Sequence, residues 1–289
     1  MSHSPLHPVH VLLLCHNEES IIEQTLGHYR TALPSARITV FDNYSTDRSR
    51  ELAASMGATV RTFGWRDRKD NAENTRIKNT AWKVLTKSPC WVLCLDMDEW
   101  LQVDEPSLLA AQRSGVSLLR TAGVQMVGDS KREDLLDTRL DQLSRGFRDH
   151  LMDKAVAFHR PCIQQIRYGP GAHSCRPVGR VAWSATAFPL YHYKFLGVPY
   201  LVRNYRRNYR RLRAQRALHP GWSDHYTEDA SVLEDRHACA MRVSCEVPCA
   251  CAGVCSASAS APLHTLCNHD GACKLIENTP PTHNTPPTH

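Results

Sequence analysis

Apolar runs and helical stripes alternate through the first hundred residues. Positions 9–14 are continuously apolar, as a buried strand requires. Over 18–29, Ile21, Ile22, Leu26 and Tyr29 recur at helical spacing. Residues 37–41 form a second apolar run ending at Asp42. Ser45-Thr46-Asp47 can cap a helix over 48–56, which Gly57 stops. A third strand is expected over 58–63. A helix over 71–85 follows, with Ile77, Ala81, Trp82 and Leu85 on one face, and then a fourth strand over 91–95. Strands separated by helices of this length need crossover connections, so the expected fold is α/β, with a doubly wound, mostly parallel sheet.

Beyond Asp98 the rhythm changes. A short helix is expected over 105–111 and strands over 116–127, 155–159 and 181–190. Residues 131–151 are charged and irregular and read as a loop near the site. A Gly/Pro-rich loop spans 168–175, and a strongly basic helix runs from about 200 to 216. From about residue 230 the composition shifts again. Residues 256–261 are low in complexity, and 278–283 are nearly repeated by 284–289. The expected division is one folded domain over 1–225 and a Cys-rich, disordered tail over 226–289.

Composition narrows the choices. A 42% hydrophobic fraction in 289 residues supports one large domain. A net charge of +6 suits a phosphorylated substrate but is too modest to call for nucleic acid. No apolar segment reaches spanning length, and none has the shape of a signal peptide, so a soluble, cytoplasmic protein is expected. Seven of the twelve cysteines crowd the tail. In a chain without a secretory start they do not read as a disulfide framework. The spacing Cys245-x₃-Cys249-x-Cys251-x₃-Cys255 is unlike a zinc ribbon or finger.

Chemistry concentrates at three strand ends. Asn17 and Glu18 follow the first strand, Asp42 to Asp47 the second, and Asp96-Met97-Asp98 the fourth. Ligands of open α/β sheets bind beyond the carboxyl ends of strands. Two carboxylates there make a hard oxygen site suited to Mg²⁺ or Mn²⁺ carrying a diphosphate.

Together these segments resemble the GT-A glycosyltransferases, family-2-like, over roughly residues 9–217. Members of that family commonly carry an Asn-Glu turn, an Asp-rich turn and an Asp-x-Asp in this order. The closest likeness is to small soluble members with His-Tyr-Lys (here 192–194) and Gly-x-His-x-Cys (here 171–175) segments. The resemblance implies metal-dependent, inverting sugar transfer of hexosyltransferase type from a nucleotide-sugar donor. A UDP-sugar is expected, with a glycan, protein or lipid-linked acceptor. Asp98 and His192 are the implied metal ligands. Asp96 is assigned to the ribose or to the metal through water, and Asn17, Glu18, Asp42 and Arg76 to the nucleotide. Arg76 is preferred over Lys78. His173 is assigned to the acceptor. An inverting enzyme needs a carboxylate base, and the usual Glu-Asp pair is missing, so Asp153 and then Asp149 are the candidates.

The arginines of the basic helix, Arg203 to Arg216, spread over all faces. They read as a solvated helix paired with acidic neighbours, with membrane-surface attachment or binding to an anionic acceptor as the alternatives. Two competing functions stay open. One is a nucleotidyltransferase on a related fold, although residues 15–19 carry no glycine. The other is a non-catalytic binding protein using its Arg/Cys-rich end.

Overall fold

The computed structural model describes residues 5–66, 68–213 and 226–247, and the backbone of 264–267 and 273–276. The first strands are β1 (Val9–Cys15), β2 (Arg37–Asp42), β3 (Thr59–Thr62) and β4 (Trp91–Asp96). Between them lie α1 (Ile22–Ala32), α2 (Ser49–Ser55) and α3 (Asn71–Leu85). They pair in parallel in the order β3-β2-β1-β4. The chain reverses direction across the sheet between β1 and β4, and such a switch point opens a crevice at the strands' carboxyl ends.

Burial explains the layers. Val9, Val11 and Leu13 of β1 share a core with α1, α2 and α4 (Glu105–Arg113). Leu12 and Leu14 share another with Ile77 and Trp82 of α3. Alternate residues of one strand therefore serve opposite faces, as the pleat requires. Trp91 to Leu95 are buried on both sides, which is why this strand reads as a continuous apolar run.

Beyond β4 the mostly parallel sheet takes on antiparallel pairs. β8 (Ala157–His159) pairs antiparallel with β4. β6 (Leu118–Val127) pairs antiparallel with β8 and with β7 (Arg145–Arg148). β11 (Trp183–Phe195) runs parallel to β6 and antiparallel to the short β5 (Glu99–Leu101). A small pair, β9 (Ile163–Gln165) with β10 (Val178–Gly179), flanks the 168–175 loop. The stretch 131–151 is less irregular than expected, since it contains β7 and a 3₁₀ turn at Leu140–Gln142.

Two further expectations shift. α1 starts at Ile22 rather than at 18, and a turn precedes it in which the Ile21 and Ile22 N–H groups both donate to the Glu18 carbonyl. The supposed tail contains order. α6 (Ala230–Val243) is capped by Asp229, whose Oδ1 accepts from Ser231 N at 2.9 Å. Leu233 of α6 is buried with Leu201 and Tyr205 of α5 (Val198–Arg211), and β12 (Cys245–Glu246) extends the sheet at β7. β13 (His264–Cys267) and β14 (Cys273–Ile276) form an antiparallel pair. The boundary near 225, Arg216, Cys249, Cys251, Cys255, the 256–261 segment and the repeat at 278–289 lie outside the described residues. Among the described residues, no helix is long and apolar enough to cross a membrane.

Candidate functional site

The Asp-x-Asp turn leaves β4 at the switch point. Its shape is set internally: Glu99 Oε2 accepts from Asp96 N at 3.0 Å. Glu99 is fully buried and pairs through Oε1 with Lys154 Nζ at 2.5 Å. Lys78, reaching in from α3, meets Asp96 Oδ1 at 2.8 Å, and Lys154 lies 3.8 Å from Asp96 Oδ2. Two carboxylates and two ammoniums thus neutralise one another in a place where an unpaired charge would be costly. Burial pushes the Asp96 carboxyl upward, but Lys78 and Lys154 outweigh it and hold it far below the usual range. Burial likewise opposes the Lys154 charge, and Glu99 and Asp96 more than restore it.

Lys78, and not Arg76, is the α3 cation in this quartet. Arg76 turns to the exposed face of α3 and pairs with Glu73 at 2.6 Å. Lys78, two residues on, is the cation aimed at the strand end.

Asp98 faces the other way. β11 lies between β5 and β6, and its register sets His192 opposite Glu99 on one side and Gln125 on the other. Asp98 Oδ2 is 3.1 Å from His192 Nε2. The far side of the ring is decided by a chain of acceptors. Asp149 carries only acceptors when ionised, so Gln125 turns its amide N–H to it, Nε2 to Oδ2 at 2.8 Å. Gln125 Oε1 is then left to accept from His192 Nδ1 at 2.8 Å. With a proton fixed on Nδ1, Nε2 confronts a carboxylate, and the pair needs something positive between its atoms. That is either a proton or a metal ion. Burial would raise the Asp98 carboxyl, but the charge and hydrogen bond of His192 hold it below its ordinary value.

Among the described residues, no three His, Cys, Asp or Glu side chains gather as a ready metal cage. Asp96 is taken by Lys78, which leaves Asp98 and His192. One carboxylate and one imidazole with room for water and phosphate oxygens fit Mn²⁺ or Mg²⁺, which keep water and substrate oxygens among their ligands.

At the end of β1, Asn17 adopts φ 53° and clamps the β2 turn, exchanging hydrogen bonds with Thr46. Glu18 is largely buried and pairs with Arg207 of α5 at 2.7 Å. Burial pushes its carboxyl up to about 7, against the pull of Arg207 and with the help of Asp98. Asp42 is sealed: it pairs with Arg50 at 2.8 Å and accepts from Ser45 N. Its carboxylate organises the turn and is not presented to a base edge, because its side chain is only 1% exposed.

The candidate bases are both engaged. Asp153 pairs with Arg148 at 2.6 Å and accepts from Gly123 N at 2.8 Å. Burial raises its carboxyl, and these partners bring it below the ordinary value, which weakens it as a proton acceptor. Asp149 is spent on Gln125 and Leu151 N. Both candidates are therefore held by other partners in the fold. His173 sits on the exposed loop, its Nδ1 2.6 Å from the Leu151 carbonyl oxygen. Burial and the nearby Lys154 charge lower its basicity.

Four contributors escaped the sequence analysis as site residues: Glu99, Lys154, Gln125 and Arg207. Glu99 directly follows Asp-x-Asp, and Arg203, Arg207 and Arg211 recur every four residues, so a stripe was there to be found. Lys154 and Gln125 carried no local signal.

Residues 10–144 match the family model described as glycosyl transferase family 2. Protein RfbJ of Shigella flexneri is 42% identical over 50 residues, 17% of this chain and 39% of that protein. Glucosyl-3-phosphoglycerate synthase from Mycobacterium tuberculosis, in complex with Mn²⁺, UDP and glucosyl-3-phosphoglycerate, overlaps at 19% identity and a TM-score of 0.37. That overlap covers 58% of this chain and 62% of the other. The same enzyme with Mn²⁺, UDP-glucose and phosphoglyceric acid overlaps at 18% identity and a TM-score of 0.36, again over 58% and 62%. The chain thus spans less than two thirds of each of these proteins. Structural overlaps this loose carry no residue roles across.

Proposed function

We propose, from the match of residues 10–144 to the glycosyl transferase family 2 model, that the chain moves a hexosyl group from a nucleotide-sugar, a UDP-sugar in the first instance, to an acceptor hydroxyl. The observation that carries the site is the Asp98–His192 pair at the switch point, 3.1 Å apart with the far ring nitrogen held by Gln125. Asp98 would supply the carboxylate and His192 Nε2 the nitrogen for a divalent ion. As a Lewis acid, such an ion offsets the charge that builds on the leaving diphosphate. Asp96, about a third exposed, presents its remaining lone pairs toward a ribose, while Lys78 and Lys154 keep it anionic. Asn17 and Glu18 line the nucleotide side of the same crevice, and His173 lies on the loop facing the acceptor side. A single displacement with inversion requires a proton acceptor, and the two candidates for it, Asp153 and Asp149, are each committed to other partners. The acceptor is a glycan, a protein or a lipid-linked sugar.

Two observations favour sugar transfer over nucleotidyl transfer. The turn after β1 holds no glycine to wrap a triphosphate, and the family match covers β1 through the Asp-x-Asp. Replacing Asp98 by Ala should lower Mn²⁺-stimulated hydrolysis of UDP-sugars by at least about a hundredfold. Turnover at the wild-type rate with the same Mn²⁺ dependence would refute the assignment. A thermal-shift screen against UDP-, GDP- and dTDP-sugars identifies the donor, because the bound one raises the melting temperature by mass action.

A further inference from the structure

A groove of about 700 Å³ runs along α5, lined by Arg203, Arg206, Arg207, Arg210 and Arg211, with Glu133 among its walls. Arg203, Arg207 and Arg211 are spaced by four and share one side of the helix. Arg207 pairs with Glu18 at 2.7 Å and Arg210 with Glu228 at 2.6 Å. Arg203 donates to a neutral group, Ser20 Oγ, at 2.7 Å, and Arg206 to the Glu228 carbonyl oxygen at 3.1 Å. The contacts of Arg211 include Asn43 Oδ1 and the Arg68 carbonyl oxygen. Among the described residues, Nε of Arg203, Nε of Arg207 and Oε2 of Glu18 are buried without a hydrogen-bond partner. Buried donors left unmet are costly, and guanidiniums concentrated in one groove repel one another. A multivalent anion relieves both. The stripe also touches the crevice, because Arg207 donates to the Asn17 carbonyl oxygen and Arg211 to the Asn43 side chain, residues that close β1 and β2.

We propose that this groove binds a phosphoryl group, with Arg203, Arg207 and Arg211 turning their guanidinium N–H groups to its oxygens. The planar fork of arginine matches that geometry. Glu18 is the resident counter-ion, which the phosphoryl group replaces at Arg207. The inference rests on the sugar-transfer proposal for its source: the group belongs either to the donor diphosphate or to a phosphorylated acceptor.

Calorimetric titration of the full chain with inorganic pyrophosphate in EDTA reads the groove without metal or sugar transfer. Wild type should bind, less tightly as salt is raised. Arg203→Gln, which strands no acid, should weaken binding on the order of tenfold. Because Arg207→Gln alone would strand Glu18, the Glu18→Gln/Arg207→Gln pair is the companion variant and should show a similar loss. Repeating the titration on UDP-saturated protein separates the sources. Lost pyrophosphate binding assigns the groove to the donor diphosphate, and persistent, arginine-dependent binding assigns it to a phosphorylated acceptor. No binding by wild type, or equal binding by folded variants, overturns the proposal. Neither result bears on Asp98→Ala, so failure here is distinct from failure of the sugar-transfer proposal.

Discussion

Glu18 combines two opposed demands, burial beside Asp98 and pairing with Arg207, and burial prevails. Its carboxyl rises from an ordinary 4.5 to about 7. Below about pH 4.5 the folded and unfolded chains both hold the proton, and Glu18 costs nothing. Between 4.5 and about 7 the unfolded chain releases a proton that the folded chain keeps, so stability falls as pH rises and the loss is complete above 7. Wild type should therefore lose urea resistance across this window relative to Glu18→Gln, measured as the difference in unfolding midpoints. Parallel curves would count against it. Such a carboxylate is legible as a strand-end acid in sequence, but its proton affinity is not, because Arg207 lies 189 positions away. Lys154 makes the same point. Beside Asp153 it looks like a solvated loop lysine, yet it is 4% exposed and pairs with Glu99, 55 positions earlier.

Strand register matters more than any single side chain in assembling the metal pair. β11 places His192 between β5 and β6, and only that register puts its ring beside both Asp98 and Gln125. A slip of one residue would turn His192 to the other face. Gln125 acts on the site by holding the imidazole, so Gln125→Leu should weaken Mn²⁺ affinity by about 10–100-fold. A Mn²⁺ titration of donor hydrolysis checks this, with saturating turnover expected to recover at high Mn²⁺. An unchanged titration would show that His192 does not depend on Gln125. Gly197 performs a related service at the start of α5. It sits at φ 145°, where an added Cβ would stand 2.2 Å from the Ser130 carbonyl oxygen, so only glycine lets the helix turn back toward the crevice.

At the scale of the molecule, the sheet order β3-β2-β1-β4 creates the crevice, and the mixed half supplies what closes it: Lys154 just before β8, His192 on β11 and the arginines of α5. α6 belongs to this assembly. Leu233 is fully buried beside Leu201 and Tyr205, and His237 Nε2 lies 2.9 Å from the Gly128 carbonyl oxygen. Burying a leucine contributes roughly 1.5–3 kcal/mol. A chain ending at residue 247 should therefore melt several degrees above one ending at 229, on the order of 2–4 °C per kcal/mol for a domain of this size. Equal melting temperatures would return α6 to the status of a dispensable appendage.

The sequence by itself determined the alternation of β1 to β4 with α1 to α3, since local period and capping depend on neighbours a few positions apart. It also determined that Asn17, Asp42 and Asp96 to Asp98 end strands, because polar residues stop apolar runs. The sheet's change from parallel to mixed pairing was beyond it, as were the pairing of Lys78 with Asp96, the bonds from Gly123 to Asp153 and from Gln125 to Asp149, and the packing of α6. Each of these is a contact between segments far apart along the chain. Charge at those contacts is set by what is buried together, and burial is a property only the folded chain possesses.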